Sequence, residues 1–531
     1  MSAPPQSPNF PIDVRGGRRI TVNRVGGTAL RVDLEDGSFD NDALAAMPAL
    51  TLKANPANGA GQPQDVTPNV AKQVLGLNKV SNTTDAEKAT EGNPVGDAIK
   101  GAKVYAQAGT GAVNKLIAEK LQGMYVLPEE FGVAAPDGDA TAGFNAAAAT
   151  GRKVLLLERP YKGTQFVMPS NTQGLVGLGD NSALIGGYGG DAANHILVVG
   201  DGTNDHWNGV FENFKFASLV NRTGGSAVLM QRTRNATMRN VRPGDLKDLY
   251  SGAATGKFLF NGVTWIDFYH ARMTGCDMAG FNNDGLTIAG PNFGAEFTWD
   301  GGAEIIQSAR HAVHVAGGAG GVKFLSGGAA LARNGLVTST AMAPGKPNPQ
   351  VFSGSQFNWD TCIDYAVLIN SASIIDFLAD TLWISSSGKN ALNAPIAGAV
   401  GCGLTVADGQ VAGAIIDIGR LAAKFCTGTA AVFSGGICRV GGGEASFNSG
   451  NGVAVNGTVV SFKANDISAI YNTAYGFYAD PALVTAAKAG TKQLTLRDIE
   501  AFGNTAGNST GLSGAPTGAY SVQGCIGLPN A

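Results

Sequence analysis

The sequence predicts an all-β solenoid, and three observations carry that reading. Glycine supplies 76 of 531 residues, roughly double the usual share of about 7%. Charged residues make up only 15% while hydrophobic residues reach 44%, a balance that excludes disorder and leaves few charged helix faces. Third, short apolar strands recur between Gly/Asn/Asp turns: HAVHV (311–315), YAVLI (365–369), CGLTV (402–406), AAVFS (430–434), NGVAV (451–455) and YGFYA (475–479). Companion strands such as VKFLS, IIDFL, AIIDI, VVSFKA and LTLRDI lie between them.

The intervals fix the kind of solenoid. Val432 and Val453 are 21 residues apart and Val453 and Phe477 are 24 apart; earlier intervals are longer and irregular, as inserted loops would make them. A repeat of this length built from strands is a β-solenoid, and neither a leucine-rich consensus nor a propeller blade motif is present. Asn-Gly steps at 208–209, 261–262, 334–335, 451–452 and 456–457 suit turns that need positive φ. Parallel crossovers wind right-handed, so the expected fold is a right-handed parallel β-helix from about residue 125 to near the C-terminus. About 400 residues at roughly 25 per coil would give about 16 coils, a rod near 75 Å long at about 4.8 Å per coil.

Residues 1–80 read differently. ITVNRVGGTALRVDL (20–34) alternates around a Gly-Gly turn and predicts a hairpin. The acidic loop 33–42 lacks the ligand frame of a calcium loop and reads as a solvated turn. ALTLKANPANGAGQPQDVTPNVAKQVLGL (49–77) predicts a short strand, a loop, and a helix starting at Thr67-Pro68 with Val70, Val74 and Leu75. It resembles a segment recurring in phage tail-fibre proteins, where it joins the virion-proximal part to the fibre. Residues 81–124 carry Val113, Leu116, Ile117 and Leu121 at helical spacing and predict a helical linker, or a helix packed on the next domain.

The stretch 125–162 supplies Phe131-Gly132-Val133, Asp137-Gly138, Thr141, Phe144 to Ala149, Gly151, Val154 to Leu157 and Pro160-Tyr161. It resembles the entrance of the pectate-lyase-like superfamily, which includes phage tailspikes, with two departures: Glu130 precedes Phe131, and no glycine separates Pro160 from Tyr161. An open β-helix end exposes unpaired backbone groups, and a helix over 139–150 would cover that edge. Asp139 or Thr141 would cap this helix and Gly151 would end it. The resemblance implies a virion tail protein, made in the host cytoplasm, that docks on baseplate or tail proteins through residues 1–80. It further implies a glycan-binding β-helix over 125–531, a host surface polysaccharide as partner, and a homotrimer.

Other classes are disfavoured. A net charge of −3 does not suit a phosphate-tracking surface, so no nucleic-acid partner is expected. No apolar run of spanning length occurs, Asp408 and Asp417 interrupting the best candidate, so membrane insertion is not expected. MSAPPQSPNF has neither the basic nor the apolar region of a secretory signal. The six cysteines, Cys276, Cys362, Cys402, Cys426, Cys438 and Cys525, are scattered without a CxxC, which predicts isolated buried thiols and no metal. No nucleophile elbow or phosphate loop appears, and GGYGG (186–190) and AGGAGG (316–321) read as turns. No cofactor is expected.

That leaves carboxylates, which glycoside hydrolysis uses in pairs. Each tryptophan lies within three residues of an aspartate: Asp205/Trp207, Trp265/Asp267, Trp299/Asp300, Trp359/Asp360 and Asp380/Trp383. Indole faces stack on sugars while carboxylates bond hydroxyls or move protons; packing of the rings under loops is the alternative. The densest patch is GAEFTWDGGAEIIQSARHAVHV (294–315). Strand alternation puts Glu296, Thr298 and Asp300 on one face and Phe297 and Trp299 on the other. Asp300 and Glu304, with Glu296 as third candidate, are the expected catalytic carboxylates if the protein cleaves its glycan. Arg310 and His314 could bind a substrate carboxylate and abstract a proton, or belong to the polar face of an ordinary coil. Trp265, Trp359 and Trp383 are the expected sugar-stacking rings, with Asp267, Asp360 and Asp380 beside them; Trp299 is expected in the core, and His206 and His270 in structural roles. The function expected is attachment to a host glycan, with or without depolymerisation. A free-standing bacterial polysaccharide lyase or hydrolase is the rival.

Overall fold

A computed structural model of the chain describes residues 124–529 other than 134–136, 245–257, 303, 340–350, 371–375, 410–412 and 513–516, together with seven short strands before residue 124. The chain divides into two compact units, Met1–Leu116 and Ile117–Ala531.

In the first unit Phe10–Val14, Arg18–Val25 and Ala29–Leu34 form an antiparallel sheet. Val25 pairs with Ala29 where the expected hairpin turns. Leu52–Ala54 pairs with Gln64–Val66; the helix expected from Thr67 lies outside the described residues. In the linker, Leu116 stands in a strand, Lys115–Leu116, paired with Val104–Tyr105. Val113, Ile117 and Leu121, the rest of that helical stripe, lie outside the described residues.

The second unit is a parallel β-helix. Its strands form one 13-stranded sheet and one 23-stranded sheet, and both are parallel throughout. Val453–Val455 pairs in parallel with Ala431–Phe433 before it and Tyr475–Ala479 after it, which excludes a hairpin or sandwich. Burial alternates along the strands, as in Lys153–Leu156, so one face of each strand fills a single continuous core. The larger sheet bends within its strands at residues held at positive φ. Asn213 (φ +60) and Asn240 (φ +50) are stacked at one such corner, with Asn240 Nδ2 donating to Asn213 Oδ1 at 3.1 Å. Asparagine tolerates this backbone, and the bend lets a continuous strand serve two sides of the helix.

Successive partners in the 13-stranded sheet are 22 residues apart at Ala431 and Val453 and 37 apart at Val367 and Leu404. The described residues therefore make 13 coils along this sheet, fewer than expected, because loops lengthen the earlier coils. Thirteen coils at about 4.8 Å each span roughly 58 Å between first and last.

The capping helix runs Thr141–Ala149. Asp139 Oδ1 accepts from the Thr141 backbone at 2.9 Å and from its hydroxyl at 2.6 Å, and Gly151 follows the C-terminus at φ +78. Phe144, Ala147 and Ala148 are buried beneath it. Phe144 meets Phe166, in the first strand of the 13-stranded sheet, edge-to-face at 4.9 Å. A second helix, Pro481–Lys488, interrupts a late coil. Asp480 accepts from Ala482 N at 2.8 Å and Pro481 occupies the first turn, an N-terminal pairing that the strand-only expectation overlooked.

The six cysteines are unpaired and, Cys402 apart, buried. No helix among the described residues is long and apolar enough to cross a membrane. Inside the last coils, buried Asn448, Asn472 and Asn504 form a ladder. Asn448 Nδ2 donates to Asn472 Oδ1 at 2.9 Å and Asn472 Nδ2 to Asn504 Oδ1 at 3.0 Å.

Candidate functional site

The patch 294–315 is dense in sequence because it is one coil, and a coil passes round the molecule. Ala295–Asp300 pairs with Tyr269–Thr274, Glu304–Ser308 with Met278–Phe281, and His311–Ala316 lies in the other sheet. Glu296 and Asp300, then Glu304, then His314 thus stand on three successive faces. The alternation expected in EFTWD is present, with Phe297 and Trp299 fully buried.

Each carboxylate has its own surroundings. Glu296 occupies a left-handed corner (φ +59), stacked in register with His270 (φ +53) and Gly321 (φ +63). Its Oε2 lies 3.1 Å from His270 Nε2, with both side chains about half exposed, and the His270 ring also meets Tyr269 at 3.9 Å. Asp300 Oδ2 accepts from Arg272 Nη2 at 3.0 Å, and its Oδ1 accepts from Gly301 N at 2.7 Å and Ser326 Oγ at 3.4 Å. Glu304 is exposed across the Gly301-Gly302 corner, its backbone held by Asp277 Oδ1 at 3.2 Å.

Arg310 and His314 converge instead on a buried carboxylate. His314 Nδ1 lies 3.3 Å from Asp284 Oδ2 and Arg310 Nε 3.7 Å from Oδ1, with Asp284 only 4% exposed. Burial would push this carboxyl up, but the His314 hydrogen bond and the charges of His311, His314 and Arg310 outweigh it and hold it below its usual range. Both basic groups thus face Asp284, His314 from a mostly buried position and Arg310 from a half-exposed one. Burial pushes the neighbouring His311 down to about 4, against the pull of Asp284. A histidine with a depressed folded pKa contributes stability that is intact above its unfolded value of about 6.5 and lost as pH falls toward 4. Asp284, also depressed, loses its contribution at lower pH still. The melting temperature should thus fall between pH 6.5 and 4, and His311→Asn should flatten that fall; an unchanged slope in differential scanning fluorimetry would assign the acid sensitivity elsewhere.

The tryptophans divide by burial. Trp265 and Trp299 are inaccessible and Trp359 is 1% exposed, so Trp265 and Trp359 cannot stack on a sugar. Trp265 Nε1 donates to Met273 Sδ at 3.3 Å inside the core, and Trp359 packs on Phe357 at 4.4 Å. Asp267 is buried too, accepting from Asn292 N and Nδ2, each at 2.8 Å, and from Phe293 N at 3.0 Å. It pins a loop. Asp360 accepts from the Ser385 hydroxyl, while Asp380 is exposed. His206 is buried, and Trp207 beside it is exposed.

Trp383 is the expected stacking residue that reaches solvent, at 40% exposure. It stands in a depression of about 330 Å³ lined by Thr381, Trp383, Arg420, Ala422, Lys424 and Glu444. Register builds this site: Trp383 pairs with Ala422 and Ala422 with Glu444, so three coils each supply one outward position. Lys424 Nζ lies 2.5 Å from Glu444 Oε2. An indole, a guanidinium, an ammonium–carboxylate pair and a hydroxyl give one apolar wall and both hydrogen-bonding polarities. Arg420, Lys424 and Glu444 were missed in the sequence because they lie 37 to 61 residues beyond Trp383 and meet it only through coil stacking.

No protein-family model and no curated protein sequence matches the chain. Solved structures do. The A-module of a mannuronan C-5 epimerase of Azotobacter vinelandii superposes with a TM-score of 0.47 at 13% identity, over 76% of this chain and all of that one. The enzymatically active domain of tailspike protein 2 of bacteriophage CBA120 gives 0.40 at 13% identity, over 78% of this chain and 56% of that one. The catalytic unit of an α-1,3-glucanase of Streptomyces thermodiastaticus gives 0.39 at 11%, over 80% and 70%. The likeness is one of fold.

Proposed function

We propose that the chain is a bacteriophage tailspike or tail-fibre protein that attaches the virion to a host surface polysaccharide through the side of its β-helix. Residues 1–80 form the virion-attachment segment, 81–124 the linker and 125–531 the glycan-binding domain, in a homotrimer carried on the tail. The observation that carries the reading is the depression around Trp383, where an exposed indole stands among Arg420, Lys424 and Glu444. Sugars offer apolar C–H faces ringed by hydroxyls, and this combination answers both. The tail-fibre-like segment 49–77 supports the virion assignment over a free-standing lyase or hydrolase.

Trp383→Ala should weaken binding to host cells and to their purified polysaccharide by about tenfold or more, the effect of removing a central aromatic anchor. It should leave the melting temperature nearly unchanged, since the ring is part-exposed. Binding by biolayer interferometry that matches wild type would remove the depression from the glycan site.

A further inference from the structure

One side of the last coils is poor in charge. The segments FCTGTAAVFSGG (425–436), FNSGNGVAVNGTVV (447–460), YNTAYGFYA (471–479) and FGNTAGNSTGL (502–512) contain no Asp, Glu, Lys or Arg. The intervening strands do, at Arg439, Glu444, Lys463, Asp466, Arg497 and Asp498. Each uncharged segment opens on an aromatic residue at a corner, and these rings face solvent: Phe425 is 45% exposed, Phe447 46%, Tyr471 51% and Phe502 37%.

The corner is built to hold them there. Phe425 (φ +60), Phe447 (φ +61) and Tyr471 (φ +55) have left-handed backbones, which cost a bulky residue on the order of 1–2 kcal/mol each. The asparagine ladder inside the corner compensates. Asn448 Oδ1 accepts from Cys426 N at 2.9 Å, Asn472 Oδ1 from Asn448 N at 3.1 Å and Asn504 Oδ1 from Asn472 N at 2.8 Å. Each amide thus grips the backbone immediately after the preceding ring. Exposed apolar groups kept in a strained backbone point to a surface with a use.

The ring geometry decides what kind of use. Phe425 and Phe447 are 5.5 Å apart and 17° from parallel, and Phe447 and Tyr471 are 5.4 Å apart at 18°. Their faces are turned to one another. The outer face of Phe425 carries the Lys389 ammonium at 5.6 Å, and Phe502 meets Tyr471 edge-on at 83°. A sugar stacks on a ring face, and the faces of Phe425, Phe447 and Tyr471 are occupied; what these three turn to solvent is a ridge of edges. Aromatic enrichment with charge depletion is the composition of the centre of a protein–protein interface.

We propose that this ridge, with the side of the 13-stranded sheet beside it at Val432 and Tyr478, is where a second copy of the chain packs. This deepens the assembly proposed above and rests on it. An apolar surface this poor in charge finds its complement in another such surface, and the chain carries one itself. Two β-helices side by side and parallel share the repeat of about 4.8 Å, so each coil of one copy sets one ring against one coil of the other.

Phe447→Asn with Tyr471→Asn removes the two central rings and installs a residue that accepts left-handed φ, so each subunit should fold; circular dichroism checks that it does. Sedimentation velocity across a concentration series then reads the assembly. Wild type should be oligomeric and the double variant should dissociate at concentrations about 100-fold higher or more. Trp207→Ser, an exposed ring off the ridge, should leave assembly intact. A folded double variant that assembles like wild type would overturn the ridge assignment while leaving the oligomer standing. A monomeric wild type would sink the assembly itself, ridge included. Loss of polysaccharide binding with assembly intact would make the ridge a ligand site and overturn the proposal.

Discussion

Asn472→Ala should open the last coils of the β-helix while leaving the rest closed. The Asn472 amide lies in the interior at 1% exposure. It accepts from Asn448 N and Nδ2 at 3.1 and 2.9 Å and donates to Ala445 O at 2.9 Å and Asn504 Oδ1 at 3.0 Å. Alanine leaves these partners buried without a replacement, at roughly 1–3 kcal/mol for each that water cannot reach. A loss of about 3–5 kcal/mol is expected. A solenoid is stabilised by nearest-neighbour contacts, so the loss should appear as local unfolding and not as a uniform drop. Hydrogen exchange should accelerate by two orders of magnitude or more over 443–529 and change little over 166–370. Uniform acceleration along the chain would mean that the coils unfold as one unit, and unchanged exchange would mean that the ladder is dispensable.

The ladder marks a limit on what the sequence discloses. The coil spacing was legible where no loop intervenes: Val453 and Phe477 are direct partners, as their separation of 24 predicts. Val432 lies one position out of that register, since Ala431 is the partner of Val453. The stacked corners FCTG, FNSG and YNTA repeat an aromatic residue followed by small polar ones at intervals of 22 and 24, a signal that acquires meaning only once the coils are set in register.

The tryptophans failed for a different reason. Asp360 follows Trp359 directly, so an outward aspartate requires an inward indole. The parity that placed Trp299 in the core applied equally to Trp359, but the frequency of Trp–Asp neighbours obscured it. Trp265 and Asp267 stand two residues apart, so the same alternation turns both inward and they are buried together. The patch 294–315 looked like a site because one-dimensional density ignores coil geometry. Convergence in a solenoid comes from residues one or two coils apart, as at Trp383, Ala422 and Glu444, more than from residues along one coil.

The same geometry frames the test of cleavage. If the protein depolymerises its receptor, Asp300→Asn and Glu304→Gln should each lower reducing-end release from the host polysaccharide by about 10²-fold or more, the scale of losing a general acid or base. Both substitutions keep shape and remove charge, so binding should persist. The two residues flank the Gly301-Gly302 corner, where Asp300 is held by Arg272 and Ser326 while Glu304 faces solvent. The held carboxylate suits a nucleophile or a charge stabiliser and the free one suits proton transfer, the division of labour that paired carboxylates require. Arg272→Ala should therefore slow an Asp300-dependent reaction and leave an Asp300-independent one untouched, which separates the two without relying on a single variant. Unchanged cleavage in both carboxylate variants would pass the chemistry to Glu296, whose His270 partner at 3.1 Å could share a proton with it. A wild type that binds its polysaccharide and releases no reducing ends is an adhesin, and Asp300 and Glu304 are then two polar groups on a coil.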